Sequence, residues 1–344
     1  MSTETTAGYR TAADVLAESR DTVQPSLRAA VDSLPAPIRH VTGYHLGWWD
    51  ERGRPEHAHT GKALRPTLVL LAAEAVGGTP EPAVPAAVAV ELVHNFSLLH
   101  DDVMDGDATR RHRPTAWRVF GLPAAILAGD ALLALASDVL AAPGHPSAGQ
   151  ATRMLSAAVL DLVAGQTADV AFERRDVGLR ECQDMAEGKT AALFGAACGL
   201  GALYGDGRPD QVERLRAYGR SLGLAFQHVD DLLGIWGDPS VTGKPVHSDL
   251  AGRKKSLPVV AALTSGTAAG RELSAIYRTA GDLTDLQVVR AAELVDLAGG
   301  RTWSQAEASR LVDHARHQLA AADPSPRVAA ELDNLSELVT RRDH

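Results

Sequence analysis

Leu92, Phe96, Leu99 and Val103 recur at spacings of four, three and four residues, the period of one buried face of an α-helix. The same habit runs through the chain. Its apolar residues are mainly Ala, Leu and Val in stretches too long for strands, and period-two alternation is hard to find. Turn chemistry separates these stretches at Gly77-Gly78-Thr79-Pro80, Pro143-Gly144-His145-Pro146, Gly205-Asp206-Gly207-Arg208-Pro209 and Ser265-Gly266-Thr267. Helices of roughly 15 to 25 residues joined by such turns account for most of the sequence. No composition shift marks a second domain and no repeat is visible. The expectation is one all-α domain over residues 13–344, a helical bundle, behind a flexible N-terminus over residues 1–12.

Composition narrows what such a bundle does. Hydrophobic residues at 45% and charged residues at 22% exclude a mostly disordered chain of 344 residues. Asp and Glu number 43 against 34 Lys and Arg, a net charge of −9, which argues against nucleic acid or an anionic membrane as the main partner. Cys182 and Cys198 lack CxxC spacing and sit in helix-like sequence, so a disulfide framework is not expected and a reducing, cytoplasmic setting is. No basic segment followed by an apolar one opens the chain. The longest uncharged stretch, Thr190 to Gly205, is shorter than the roughly 20 apolar residues of a membrane span, so no transmembrane segment is expected.

The strongest chemical signal is the run from His94 to Asp105, ending His100-Asp101-Asp102-Val103-Met104-Asp105. On a helix, Asp101 and Asp105 share a face and Asp102 lies about 100° round, while His94 is two turns back on the same stripe. Three carboxylates in one turn repel one another unless cations neutralise them. Oxygen-only donors suit Mg²⁺, which takes one or two carboxylates plus substrate phosphate. A second pair follows in Phe226-Gln227-His228-Val229-Asp230-Asp231-Leu232-Leu233-Gly234, with Gln227, Asp230, Asp231 and Gly234 on one face. Basic residues are interspersed: Lys62 and Arg65, Arg110 and Arg111, Lys189, Lys244 and Lys254. Acids that hold Mg²⁺ beside bases that hold phosphate oxygens point to metal-bound diphosphate, and bundles build such sites from facing helices.

These motifs resemble those of the trans-isoprenyl diphosphate synthases, and the match runs in the family's order over residues 61–258. Gly61-Lys62-xx-Arg65-Pro66 resembles the homoallylic-site motif, Asp101-Asp102-xx-Asp105 the first aspartate-rich motif, and Arg110-Arg111 the arginine pair after it. Gly165-Gln166-xx-Asp169 and Lys189-Thr190 resemble the central motifs. Phe226-Gln227-xx-Asp230-Asp231, Gly243-Lys244 and Asp249-Leu250-xxxx-Lys254-x-Ser256-Leu257-Pro258 resemble the last block. Bacterial geranylgeranyl diphosphate synthases are the nearest pattern.

The resemblance implies an isoprenoid-synthase bundle around a central cavity, acting as a homodimer with isopentenyl diphosphate and an allylic diphosphate. It implies three Mg²⁺, with Asp101, Asp102, Asp105, Asp230 and Asp231 as the metal-binding acids. Arg110, Lys189, Gln227, Lys244 and Lys254 would cradle the allylic diphosphate, and Lys62, Arg65, His94 and Arg111 the isopentenyl diphosphate. Lys189, Thr190 and Gln227 would face the allyl cation. Phe96 and Ser97, just before Asp101, would set chain length, and the motif without an insertion resembles makers of the C20 product.

Two departures stand out: Gly234 replaces the usual third acid of the second motif, and His112 stands where a glycine commonly follows the arginines. A class I terpene cyclase, a farnesyl diphosphate synthase and a non-catalytic partner subunit are the alternatives. The Lys62, Arg65, His94 and Arg111 set disfavours a cyclase, and the complete first acidic motif disfavours an inert subunit.

Overall fold

The structure is a computed structural model that describes residues 10–56, 61, 63–142, 144–172, 174–239 and 245–340. It is all-α, as the period of the apolar residues requires. The first ten helices are α1 (Ala12–Asp32), α2 (Ala36–His45), α3 (Leu64–Ala75), α4 (Val84–Met104), α5 (Ala116–Phe120), α6 (Leu122–Ala141), α7 (Ala148–Phe172), α8 (Leu179–Ala186), α9 (Ala192–Tyr204) and α10 (Pro209–Trp236). A π-helical turn, Glu187–Ala191, joins α8 to α9. Beyond α10 lie the short helix Ser248–Ala251 and helices Leu257–Leu263, Ala268–Tyr277, Asp285–Leu297, Gly300–Ala321 and Pro326–Thr340.

The helices group into two compact units. Of the described residues, the first holds those within 10–155, 196–216 and 316–338, and the second those within 156–195, 217–315 and 339–340. In the first, α4 packs against α3 and α6. It opens on Pro85, whose missing N–H costs nothing in a first turn, and its Ala and Val side chains are buried on most sides. Leu92, Phe96 and Leu99 of the expected stripe are buried. The start of α1 is fixed by a capping box in which Thr11 and Asp14 bond reciprocally. Arg10 donates from Nε and Nη2 to the fully buried carboxylate of Glu331 at 2.8 and 2.6 Å, so the chain is anchored from Arg10 onward.

The second unit has a core of Ile235, Leu250, Val259, Leu273, Leu294 and Val295. A neighbouring cluster joins Phe172, Cys182, Met185, Leu257 and Val260. Cys182 and Cys198 are free, buried thiols, and burial pushes both above the ordinary thiol range.

Uncharged runs understate how apolar some helices are. Residues Glu81–Met104, α6 and α7 are each long and apolar enough to cross a bilayer by length and composition. Counting only uncharged runs missed them, because a few charges are tolerated in a window whose mean hydropathy stays high. For α4 the apolarity has a local cause, since 67% of its window is buried within the protein. The windows of α6 and α7 are only 39% and 33% buried, and Leu127 and Leu160 on them are 58% and 70% exposed.

Among the described residues the only sheet is a two-stranded hairpin, Thr109–Arg110 with Arg113–Pro114, in the first unit. Its two-residue loop is Arg111-His112, and both have positive φ, 52° and 63°. That is the type I′ hairpin turn, which favours Asn and Gly because side chains there crowd the backbone. It explains why a glycine commonly occupies the position of exposed His112. His112→Gly should therefore raise stability by about 0.5–1 kcal/mol without altering the fold, read as a shifted midpoint in urea unfolding.

Candidate active site

In the first unit α4 presents its acids in the worst place for them. Asp101 and Asp102 lie in its last turn and Asp105 caps it, at the negative end of the helix dipole. Each carboxylate there costs roughly 0.3–1 kcal/mol unless a cation compensates. Asp102, 1% exposed, accepts from Arg110 Nε at 2.6 Å, and burial raises its pKa while Arg110 opposes the shift. Its Oδ2 is buried without a hydrogen-bond partner. Asp101 is half-buried and Asp105 exposed.

Further back on α4 the basic groups assemble. Arg65, in the first turn of α3, donates from Nη1 to His94 Nε2 at 3.3 Å, which makes that nitrogen an acceptor and puts the ring proton on Nδ1. Burial and then Arg65, Arg111 and Arg110 hold His94 well below its ordinary range. His45, at the end of α2, is lowered to about 3 by burial, Arg111 and Arg110. Glu91 is raised by burial against the pull of Arg65 and Arg111, and accepts from Asn95 Nδ2 at 3.0 Å. A small cavity is lined in part by His45, Asp102, Arg110 and Arg111. Gly61 has a positive φ of 85°, and a Cβ there would stand 2.8 Å from an Arg111 guanidinium nitrogen. The glycine of the first motif thus makes room for the arginine of the third. Lys62 lies outside the described residues. Ser97 Oγ donates to His94 O at 2.8 Å, and the Phe96 ring packs edge-on against His100 at 4.9 Å.

The second unit arranges its motifs around a close backbone contact. A Cβ on Gly165 would lie 2.3 Å from Lys189 N, and one on Gly188 would lie 2.6 Å from Asp161 O. Only glycines permit α7 to touch the π-turn there. That turn, a form common at functional sites, carries Lys189 and Thr190. Lys189 Nζ donates to Asp169 at 2.5 Å. Thr190 Oγ1 donates to Gln227 Oε1 at 2.5 Å, Gln227 Nε2 donates to Asp231 Oδ1 at 2.8 Å, and Leu257 N donates to Asp231 Oδ2 at 2.9 Å. Both oxygens of Asp231 are therefore engaged, and burial raises it to about 6. Asp230, one residue earlier on α10, is exposed. Gln166 is 5% exposed, and neither polar atom of its amide has a partner. Lys254 is 42% exposed with its Nζ 3.7 Å from Asp249. Burial disfavours its charge, but Asp249, Asp231, Asp169 and Asp230 outweigh that and raise its pKa. Lys244 lies outside the described residues.

A larger cavity of about 440 Å³ in the second unit is lined by Asp161, Arg175, Glu181 and Arg220, among others. Among its lining charges, Arg220 pairs with Asp161 and Arg175 with Glu181.

Among the described residues no three His, Cys, Asp or Glu side chains form a complete metal site. The donor chemistry nevertheless fits a hard divalent cation. The outer acids are oxygen donors, Asp102 keeps a buried oxygen without a partner, and Mg²⁺ typically takes few carboxylates and fills its remaining positions from phosphate and water. Asp102 and Asp231 differ from open ligands, because one is tied to Arg110 and the other to Gln227 and Leu257. Sequence reading had singled out neither Glu91, Asn95 nor His45. Glu91 and Asn95 share the His94 face at helical spacing, whereas nothing near His45 in sequence marks it.

Acids in two places and a half-buried arginine–histidine group on an all-α fold have the donor chemistry that suits a divalent cation and phosphate oxygens. Residues 55–294 match the polyprenyl synthetase family, and the chain belongs to it. It is 51% identical over 333 residues to a (2E,6E)-farnesyl diphosphate synthase of Mycobacterium bovis, covering 95% of this chain and 92% of that protein. It is 46% identical to a geranylgeranyl diphosphate synthase of Mycobacterium tuberculosis, with coverage of 96% and 93%. The crystal structure of a polyprenyl synthetase from Streptomyces coelicolor superimposes with a TM-score of 0.91 at 48% identity, covering 94% of this chain and 98% of that one. The chain is thus a prenyltransferase of the prenyl diphosphate synthase type.

The neutral histidines make stability depend on pH. His45 and His94 have folded pKa values below the 6.5 of an unfolded histidine, so the unfolded chain takes up protons first on acidification. Their contribution is full above about pH 6.5 and falls as pH drops toward the folded values. Between pH 8 and 5.5 each should cost about 1 kcal/mol of unfolding free energy, and His45→Asn should remove one such step in urea titrations.

Proposed function

We propose that the protein condenses isopentenyl diphosphate head-to-tail with dimethylallyl, geranyl or farnesyl diphosphate, giving all-trans geranylgeranyl diphosphate (C20). The reading is carried by the Arg65–His94 pair beside Arg111, a fixed basic group that an enzyme acting on one diphosphate alone has no use for. Lys62, Arg65, His94 and Arg111 would hold the diphosphate of isopentenyl diphosphate, with His94 neutral and its proton on Nδ1. Three Mg²⁺, held by Asp101, Asp105 and Asp230 together with the substrate, would neutralise charge on the departing diphosphate.

The protein's own side chains then have defined tasks. Arg110, Lys189, Lys244 and Lys254 hold the allylic diphosphate as its C–O bond breaks and the electron pair leaves with oxygen. The Thr190–Gln227–Asp231 chain of hydrogen bonds orients the Gln227 carbonyl and the Thr190 oxygen, whose remaining lone pairs suit the allyl cation. The isopentenyl double bond attacks that cation and forms the new C–C bond. A proton then leaves to the released diphosphate, so no protein nucleophile is required.

A C15 product is the second reading. It is favoured by the buried ring of Phe96 five residues before Asp101 and by the 51% identity to a farnesyl diphosphate synthase. We further read the enzyme as a cytoplasmic homodimer, a reading supported by the free buried cysteines and by the exposed apolar residues Leu122 and Leu127 of α6.

The test is a product analysis with Mg²⁺, farnesyl diphosphate and labelled isopentenyl diphosphate. Label should appear in a C20 alcohol after phosphatase treatment, and Asp101→Ala should lower the rate at least about 100-fold. Products ending at C15 from dimethylallyl diphosphate, with none from farnesyl diphosphate, would establish the second reading. A hydrocarbon without label would mark a cyclase. Ser97→Phe should shorten the product by at least one isoprene unit, and an unchanged length would move the cavity floor elsewhere.

A further inference from the structure

Three cations stand in a row at Arg253-Lys254-Lys255 in the second unit, and the outer two are tied to backbone carbonyls. Arg253 Nη2 donates to Thr279 O at 2.8 Å and to Gly281 O at 2.5 Å, just past helix Ala268–Tyr277. Lys255 Nζ donates to Phe172 O, on the last residue of α7, and to Arg175 O, each at 2.5 Å. A cation suits such a place, because the last carbonyls of a helix have no partner within it and form the negative end of its dipole.

The backbone between these ties is fixed as well. Arg253 is left-handed, with φ of 51°, and its N–H donates to Leu250 O at 2.9 Å. Lys254 N donates to Asp249 O at 2.8 Å, and Cys182 Sγ donates to Lys255 O at 3.5 Å. The side chain of Lys254 is left to reach the acids, with its Nζ 3.7 Å from Asp249. A lysine has a flexible stem, so where its ammonium can go depends on where its backbone is held. α7 also carries Asp169, the partner of Lys189. Tying Lys255 to the end of α7 therefore sets the spacing between Lys189 and Lys254.

We infer that Lys255 is a positioning residue for the diphosphate site, holding the segment from which Lys254 reaches the allylic diphosphate, with Arg253 as the second tie. The inference rests on the proposed reading of Lys254. It gives Lys255 no contact with substrate, whereas charge alone would make it one more phosphate ligand. The two roles differ in how losses combine. A ligand contributes its own interaction, so its removal weakens binding whether or not Lys254 is present. A positioning residue acts through Lys254, so its removal has no further effect once Lys254 is gone.

The experiment is a double-mutant cycle of Lys254→Met and Lys255→Met, read by calorimetric titration of inorganic pyrophosphate into the full-length protein in excess Mg²⁺. Lys254→Met should bind about 30-fold more weakly and Lys255→Met about fivefold more weakly, with the double variant within about twofold of Lys254→Met alone. Arg253→Met loosens the same segment from its other tie and should show the same pattern with Lys254→Met, so the test stands even where Lys255→Met disturbs folding. Losses that multiply in either cycle, or a flanking variant that binds as tightly as the parent while Lys254→Met is weakened, would overturn the inference alone. Lys254→Met binding like the parent would defeat the reading of Lys254 itself, and the inference with it.

Discussion

Charge buried among apolar helices has to be paired, and in this protein the pairing positions the chemistry. Each Asp-Asp pair shows the rule. Adjacent residues on a helix point about 100° apart, so one carboxylate turns inward and its neighbour outward. Asp102 turns inward and is met by Arg110; Asp231 turns inward and is met by Gln227 and Leu257 N. An unpaired inward carboxylate would carry a desolvation penalty of several kcal/mol, so these contacts are close to obligatory. The outward residues are the half-buried Asp101 and the exposed Asp230. The repeated acid is a division of labour in which the buried member fixes the helix against its surroundings and so aims the exposed one.

The same logic reaches the neutral side chains. Because Asp231 Oδ1 accepts from Gln227 Nε2, the Gln227 amide has one orientation, with its carbonyl toward Thr190. Thr190 in turn is placed by the π-turn, which exists where Gly165 and Gly188 let two backbones touch. A methyl group at either glycine would push Lys189 and Thr190 outward by a distance comparable to a hydrogen bond's tolerance. The glycines in these motifs therefore act on Lys189 and Thr190 at one remove, by setting backbone distance.

Much of this was legible in the sequence, for reasons that also explain what was hidden. The 92/96/99/103 stripe and the acid spacings are one-dimensional consequences of helix geometry, so they survive reading without a structure. His112 was opaque because its meaning is a backbone angle. Once the Arg111-His112 loop is seen as a type I′ turn, the usual glycine needs no further cause. What stands against Gly234 was hidden because Asp249 is 15 positions away and is brought close by tertiary structure. His45 carried no local pattern at all; its proximity to Arg110 and Arg111 comes from packing in the first unit. The long apolar windows were hidden for a different reason, since counting uncharged runs passes over them where mean hydropathy does not.

The choice of cation in each unit follows from what surrounds it. Among the described residues the basic groups around His94 are arginines, and they sit beside two neutral histidines with the half-buried Glu91. Burial and neighbouring positive charge would drive a lysine there toward its neutral form, whereas a guanidinium stays charged and offers a planar fork to phosphate oxygens. Burial lowers Arg111, but from so high a starting value that its charge persists. The second unit has the opposite surroundings. Lys189 pairs with Asp169, and Asp249, Asp231, Asp169 and Asp230 together raise the pKa of Lys254. A compact point charge on a flexible stem is then sufficient to meet a carboxylate.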